Sequence, residues 1–216
     1  MSCRLARCKH GCIHVSMPVE DPLRATTPRL PRAQRRAQIV RAAATAFVRA
    51  GFDGTSMEDV AGEAGVTRLI VYRIFETKED LYRAVLEDVA ERLTAAFGDT
   101  APTGRSEEPF VAPALLSVAR ADPDAFRLFW RHSAHEPRFA EYHRGFLFAA
   151  NAYADAMLGP FVRDDLVRAW AGPTVVAHLY DGVIGWLDVG DESRDAEFVE
   201  MIGSGVRALV AAWSAR

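Results

Sequence analysis

The segment GVTRLIVYRIFETKEDL, residues 65–81, limits what this chain can be. It is too short and too basic for a buried core helix. It lacks a nucleophile–base pair and a glycine cradle for a phosphate. Yet Thr67, Arg68, Tyr72, Arg73 and Lys78 stand among apolar residues at helical spacing. A short helix with such a surface is built to present side chains to something outside the chain.

The flanking sequence supplies its frame. In RAQRRAQIVRAAATAFVRAGF, Ile39, Val40, Ala43, Phe47 and Val48 fall on one helical stripe, which Gly51 ends as a C-terminal glycine does. In DGTSMEDVAGEAGV, Thr55 with Glu58 three residues on matches a capping box, and Ser56 is the other candidate cap. Met57, Val60, Ala61 and Ala64 make the apolar face of a second, short helix. Gly65 turns the chain, and a third helix starts around Thr67 and runs to about Arg73. Residues 75–77 break it, and a longer helix begins with Thr77 as cap and Leu81, Val85, Leu86, Val89 and Leu93 as its stripe. Val66, Val71 and Phe75 are expected to pack inward. Two short helices joined by a glycine turn and braced by longer ones describe a helix-turn-helix module.

From about Arg35 to Leu86, about a quarter of the chain, the sequence resembles the DNA-binding region of the TetR family of bacterial transcriptional repressors. The resemblance rests on IVRAAATAFVRAGFDGTSMEDVAGEAGVT, then Tyr72, Phe75 and TKEDLYRAVL. It implies a double-stranded DNA operator as partner, a homodimer, and release by a small-molecule effector. By that resemblance Thr67, Tyr72 and Lys78 match positions that contact the DNA backbone. Arg68 and Arg73 are placed for base edges, where a bidentate arginine prefers guanine. Thr55 or Ser56, at the start of the second helix, can offer hydroxyl and N–H groups to a phosphate. The family often has glycine and a small residue where this chain has Leu69 and Ile70, and one of these can meet a thymine methyl. An alternative reading is a helical small-molecule binding protein without operator affinity.

The rear half carries helical periodicity throughout and no strand-period segment, so the expected fold class is all-α: a three-helix front module and a larger helical body. The expected organisation is a basic, disordered tail over 1–31, a DNA-binding module over 32–78 and a ligand-binding and dimerisation body over 79–216. A helix break is expected near Glu136-Pro137, and Pro173 is a candidate kink. The aromatics Phe126, Phe129, Trp130, Phe146, Tyr153 and Trp186 are candidates to line a ligand cavity, or simply to fill the core. His178 and Asp181, three apart on one helix, can orient a ligand or satisfy a neighbour. Small residues recur in the last two long helices: Ala171, Gly172, Ala177, Gly182 and Gly185, then Gly203, Gly205, Ala208, Ala211 and Ala212. They suit close approach in a four-helix dimer interface, with Val175, Val176, Leu179, Val183 and Phe198 among the apolar residues around them.

Charge and composition narrow the function classes. Residues 29–83 hold ten Lys or Arg against seven Asp or Glu, whereas residues 85–216 hold twelve against twenty, so a polyanion is expected at the front only. All three cysteines lie in CRLARCKHGCIH, residues 3–14, at a spacing that fits no zinc template, so no metal or other cofactor is expected. His132, His135 and His143 lack the HExxH or carboxylate pattern that would complete a metal or catalytic site, and no enzyme is expected. There is neither an apolar run long enough to span a bilayer nor a signal-type apolar region, which points to no membrane partner and a cytoplasmic protein. Met17 is a second candidate start.

Overall fold

The computed structural model describes residues 30–98 and 111–214. The expected tail, with its Cys/His cluster, lies almost wholly outside them. Every regular element among the described residues is helical, and the described residues from Arg32 onward form one compact unit.

Helix α1 (Arg32–Gly54) buries Ile39, Val40, Ala43 and Phe47 of the stripe read from the sequence and leaves its fifth member, Val48, half-buried. At Gly51 the backbone turns left-handed (φ 73°), and one more helical turn delivers Phe52 to the core. Helix α2 (Met57–Glu63) is short because Gly65 (φ 63°) redirects the chain. Its cap is Ser56, with Asp59 rather than Glu58 closing the capping box. Helix α3 (Arg68–Tyr72) starts after Thr67 and is anchored by fully buried Val71, with half-buried Ile70 and buried Phe75 packing beside it. Helix α4 (Lys78–Gly98) follows Thr77, whose hydroxyl accepts the Asp80 N–H at 3.0 Å. It runs without interruption across residue 79, so front module and body share one rigid element.

The body comprises α5 (Ala112–Ala121), α6 (Pro123–Arg127), α7 (Ala140–Leu158), α8 (Asp165–Val189) and α9 (Asp195–Ser214). Helix α6 runs on into a π-helical turn, Leu128–His132, and a 3-10 turn, Ser133–His135. The break then falls where expected: Glu136 takes an extended conformation, as a residue before proline prefers. Helix α8 continues through Pro173 and packs against α5, α7 and α9.

Many of the small residues of α8 and α9 serve this internal packing. Gly172 faces the α7 backbone at Asn151 and Asp155, Gly182 faces Ile202, and Gly205 faces His178. Ala171, Gly203, Val175, Val176, Leu179, Val183 and Phe198 are likewise buried within the chain, not presented to a partner. The members left exposed are Ala208, Ala211 and Ala212.

The body grips the front module through one aromatic cluster. Phe139, immediately before α7, stacks on Tyr82 of α4 at 4.2 Å and meets Phe52 edge-on at 5.3 Å; Phe47 lies 4.9 Å from Tyr82. Phe139 is 1% exposed. Arg138 covers the Phe52 ring and pairs with Asp53 at 3.0 Å, and Thr45 donates to Asp124 at 2.8 Å. Phe139→Ala is expected to destabilise the chain by about 3–5 kcal/mol, seen as an earlier urea midpoint with helical content retained below it.

Candidate nucleic-acid interface and ligand cavity

Helix α3 is held from beneath, and its outer side is open. Arg68, Leu69, Tyr72 and Arg73 are exposed, Leu69 by 60%. Thr67 caps the helix through its backbone only, leaving its hydroxyl outside the cap. The Arg68 guanidinium donates to Glu58 of α2 at 3.0 Å and lies 5.2 Å from the Tyr72 ring centre. Both partners are exposed, so water screens the pair and it orients the guanidinium without locking it. Arg73 has no ion-pair partner among the described residues. Of the two bulky residues that depart from the family pattern, Leu69 projects outward while Ile70 packs against the core.

Three expected DNA contacts are engaged elsewhere. Thr55 is 2% exposed, and its hydroxyl donates to the carbonyls of Ala46 and Gly51 (3.1 and 2.7 Å). Ser56 spends its hydroxyl and its N–H on Asp59, whose carboxyl these bonds hold below the usual range. An ionised Asp59 beside the cap also repels phosphate, so neither hydroxyl suits that role. The Lys78 ammonium donates to the carbonyls of Phe52 and Thr55 (2.7 and 2.8 Å) and sits over the Phe52 ring. These carbonyls close α1, where a cation is favourable, so two of the three Lys78 donors tie α4 to α1. Lys78→Met is expected to cost about 1.5–3 kcal/mol of stability, the range for hydrogen bonds to a charged group, measured as a shift in urea midpoint.

A cavity of about 460 Å³ lies in the body, walled by α4, α7, α8 and α9. Two of the residues expected to line it, Phe146 and Tyr153, do so. The other six do not. Phe129 is buried and meets Phe146 edge-on at 4.6 Å. Phe126 is fully buried and Trp130 half-buried; both stack on Tyr180, behind the wall. Asp181 is exposed and accepts the Trp130 indole N–H at 2.7 Å. His178 is also exposed, against Gly205 of α9. Trp186 stacks on Phe198 and donates to Asp195, which also receives a two-pronged bond from Arg120, so it joins α8 to α9 and α5. The lining residues missed in the sequence include Phe97, Met157, Phe161, Leu179, Tyr180 and Arg207. Among the described residues no group of three or more His, Cys, Asp or Glu can hold a metal ion, and no helix is long and apolar enough to cross a membrane.

Residues 39–85 match the model of the bacterial regulatory proteins of the tetR family. The HTH-type transcriptional activator FasR of Mycolicibacterium smegmatis is 29% identical over 168 residues, 74% of this chain and 75% of that one. A TetR-like transcriptional regulator from Rhodococcus sp. RHA1 superposes with a TM-score of 0.71 at 18% identity, over 85% of this chain and 99% of the other. The front module is that of the TetR family. FadR of Bacillus subtilis, solved in complex with stearoyl-CoA, shares the fold at a TM-score of 0.60 and 16% identity, over 82% of this chain and 98% of that one. With this front module and a relative of this kind along most of its length, the chain is a DNA-binding transcriptional regulator.

Proposed function

We propose that this regulator is a homodimeric repressor that holds a double-stranded DNA operator through α3 and leaves it when a small apolar molecule fills the body cavity. The observation that carries the reading is the outward set Thr67, Arg68, Leu69, Tyr72 and Arg73 on a helix whose other side is fixed by Val71. Arg68 and Arg73 reach base edges in the major groove, Leu69 meets a thymine methyl, and Thr67 and Tyr72 set register on phosphates. The cytoplasm, where the chromosome lies, is the compartment this reading requires. FasR is named an activator, so the sign of regulation on this chain's own promoters is part of the proposal.

Gel shifts against the DNA upstream of its gene test the interface. Arg68→Ala is expected to lose about 1–3 kcal/mol at one base pair and to relax preference there. Binding that is unchanged in both Arg68→Ala and Arg73→Ala would remove α3 from the interface. No specific shift by the wild type would favour the binding protein without operator affinity.

One recognition helix reads only a few base pairs, so two copies must present theirs about one DNA turn, ~34–36 Å, apart. The surface that supports pairing is an apolar stripe on α8 and α9. It runs through Leu166 (82% exposed), Trp170, Pro173 and Ala177, then Met201, Ala208 and Ala212. The spacing of each set keeps it on one helix face. Ala208→Arg is expected to yield a monomer by light scattering and to abolish operator binding while the melting temperature changes little. A wild-type monomer that binds a half-site specifically would sink the dimer reading.

A further inference from the structure

Helix α1 carries two kinds of arginine. From its middle onward they are paired, Arg41 with Asp122 and Arg49 with Glu63. Arg32, Arg35 and Arg36, on its first two turns, have no ion-pair partner among the described residues. Spaced three and four apart, they share one helix face. Arg32 and Arg36 are exposed, and Arg35 is half-buried.

Local physics disfavours this arrangement. Like charges at such a spacing repel each other. The start of a helix carries partial positive charge, so cations there are unfavourable, and no acidic residue stands in the first turn of α1 to offset them. Three arginines set against both effects call for an anion from outside the chain.

Two contacts fix where that part of α1 lies. The Gln38 side-chain amide donates to the Ala64 carbonyl at 2.7 Å, at the turn that leads into α3. The Arg36 guanidinium lies over the Phe75 ring, 5.4 Å from its centre, just past the end of α3. The start of α1 therefore sits beside both the entry to α3 and the exit from it. Toward its other end α1 packs on the body, through Thr45 with Asp124 and Phe52 with Phe139. Glu76, the acidic neighbour of Phe75, is exposed and pairs with none of the three arginines. A helix is about 10–12 Å across and the major groove about 12 Å wide, so a helix in the groove nearly fills it. Groups flanking its ends then meet the phosphates that wall the groove.

On the reading that α3 enters the major groove, we propose that Arg32, Arg35 and Arg36 hold the DNA phosphate backbone alongside it. The partner surface is duplex DNA, continuous with the face of α3. These contacts add affinity and fix the register of α3, and they carry no base preference.

Gel shifts of the full-length protein on DNA from upstream of its gene, run at several salt concentrations, test this with two variants. Arg36→Gln removes one charge per copy. Arg32→Gln with Arg35→Gln removes two and leaves Arg36 on the Phe75 ring. Each phosphate contact contributes ~0.9 to the slope of log affinity against log salt, so in a dimer the slope should fall by about 2 for the first variant and about 4 for the second. Affinity should drop about tenfold or more, equally for the operator and for operators altered at single base pairs. Ethylation interference should lose the phosphates that flank the α3 site. The melting temperature of the double variant should be equal or higher, since like charges leave the positive end of α1. Unchanged affinity and slope in both variants, with the wild type shifting the operator specifically, would overturn the proposal and leave α3 as the reader. A lowered melting temperature with an unchanged ethylation pattern would make the arginines part of the fold and overturn it too. So would a loss confined to one altered base pair, which would make them base readers. No specific shift by the wild type would remove the reading of α3 and this proposal together.

Discussion

The contact on which this structure turns is the stacking of Phe139 on Tyr82 inside a cluster completed by Phe47 and Phe52. Helix α3, five residues long, is below any length at which a helix persists alone, and α2, at seven, is little better, so both depend on what packs behind them. The cluster supplies the missing mass. It gathers the end of α1, the start of α4 and the entry to α7 around rings that are nearly inaccessible to water. Lys78 binds the same corner electrostatically by closing the α1 carbonyls from the first residue of α4.

Two helices therefore run from this corner into the cavity wall. Helix α4 starts at Lys78 and reaches the cavity with Leu93, Thr94 and Phe97; α7 follows Phe139 and lines the cavity with Phe146, Tyr153 and Met157. A ligand that favours one packing of those side chains acts on helices whose other ends meet α1, the helix against which α2 packs, and α2 in turn carries α3. The differential contact that a population shift requires is thus available through that chain of packed helices.

Much of the front module was legible in the sequence because its signals are local. Gly51 and Gly65 stand where the backbone needs positive φ, the stripe from Ile39 to Phe47 has a clean 3.6-residue period, and Val71 with Phe75 reads as an anchor. The cap at Ser56 was open between two neighbouring hydroxyls, and the deciding fact, a tertiary bond from Thr55 back to Ala46, is not local. Lys78 illustrates the same limit: its charge suggests phosphate, but the carbonyls it meets lie more than twenty residues earlier. In the body, aromatic identity was a poor guide to the cavity. His178 and Asp181 share a face, and the stripe Val175, Val176, Leu179, Tyr180, Val183 takes the opposite one. Weighing that stripe would have turned the polar pair outward and brought Tyr180 in. Phe126, Trp130 and Trp186 are core and strut residues, a distinction set by which helices meet them rather than by their type.

The pair between Arg68 and Glu58 bears on how ionic strength acts on this protein. Salt weakens the attraction of the guanidinium for DNA, but it also weakens the attraction that holds the same guanidinium to Glu58 in the free protein. The two effects oppose each other in the binding equilibrium. In the proposed interface Arg68 therefore contributes less to the dependence of affinity on salt than Arg73, which has no ion-pair partner among the described residues, even where both make equally close contacts. A count of DNA contacts inferred from that dependence would then fall short of the geometric count, and the shortfall would be the signature of a side chain that exchanges one anion for another.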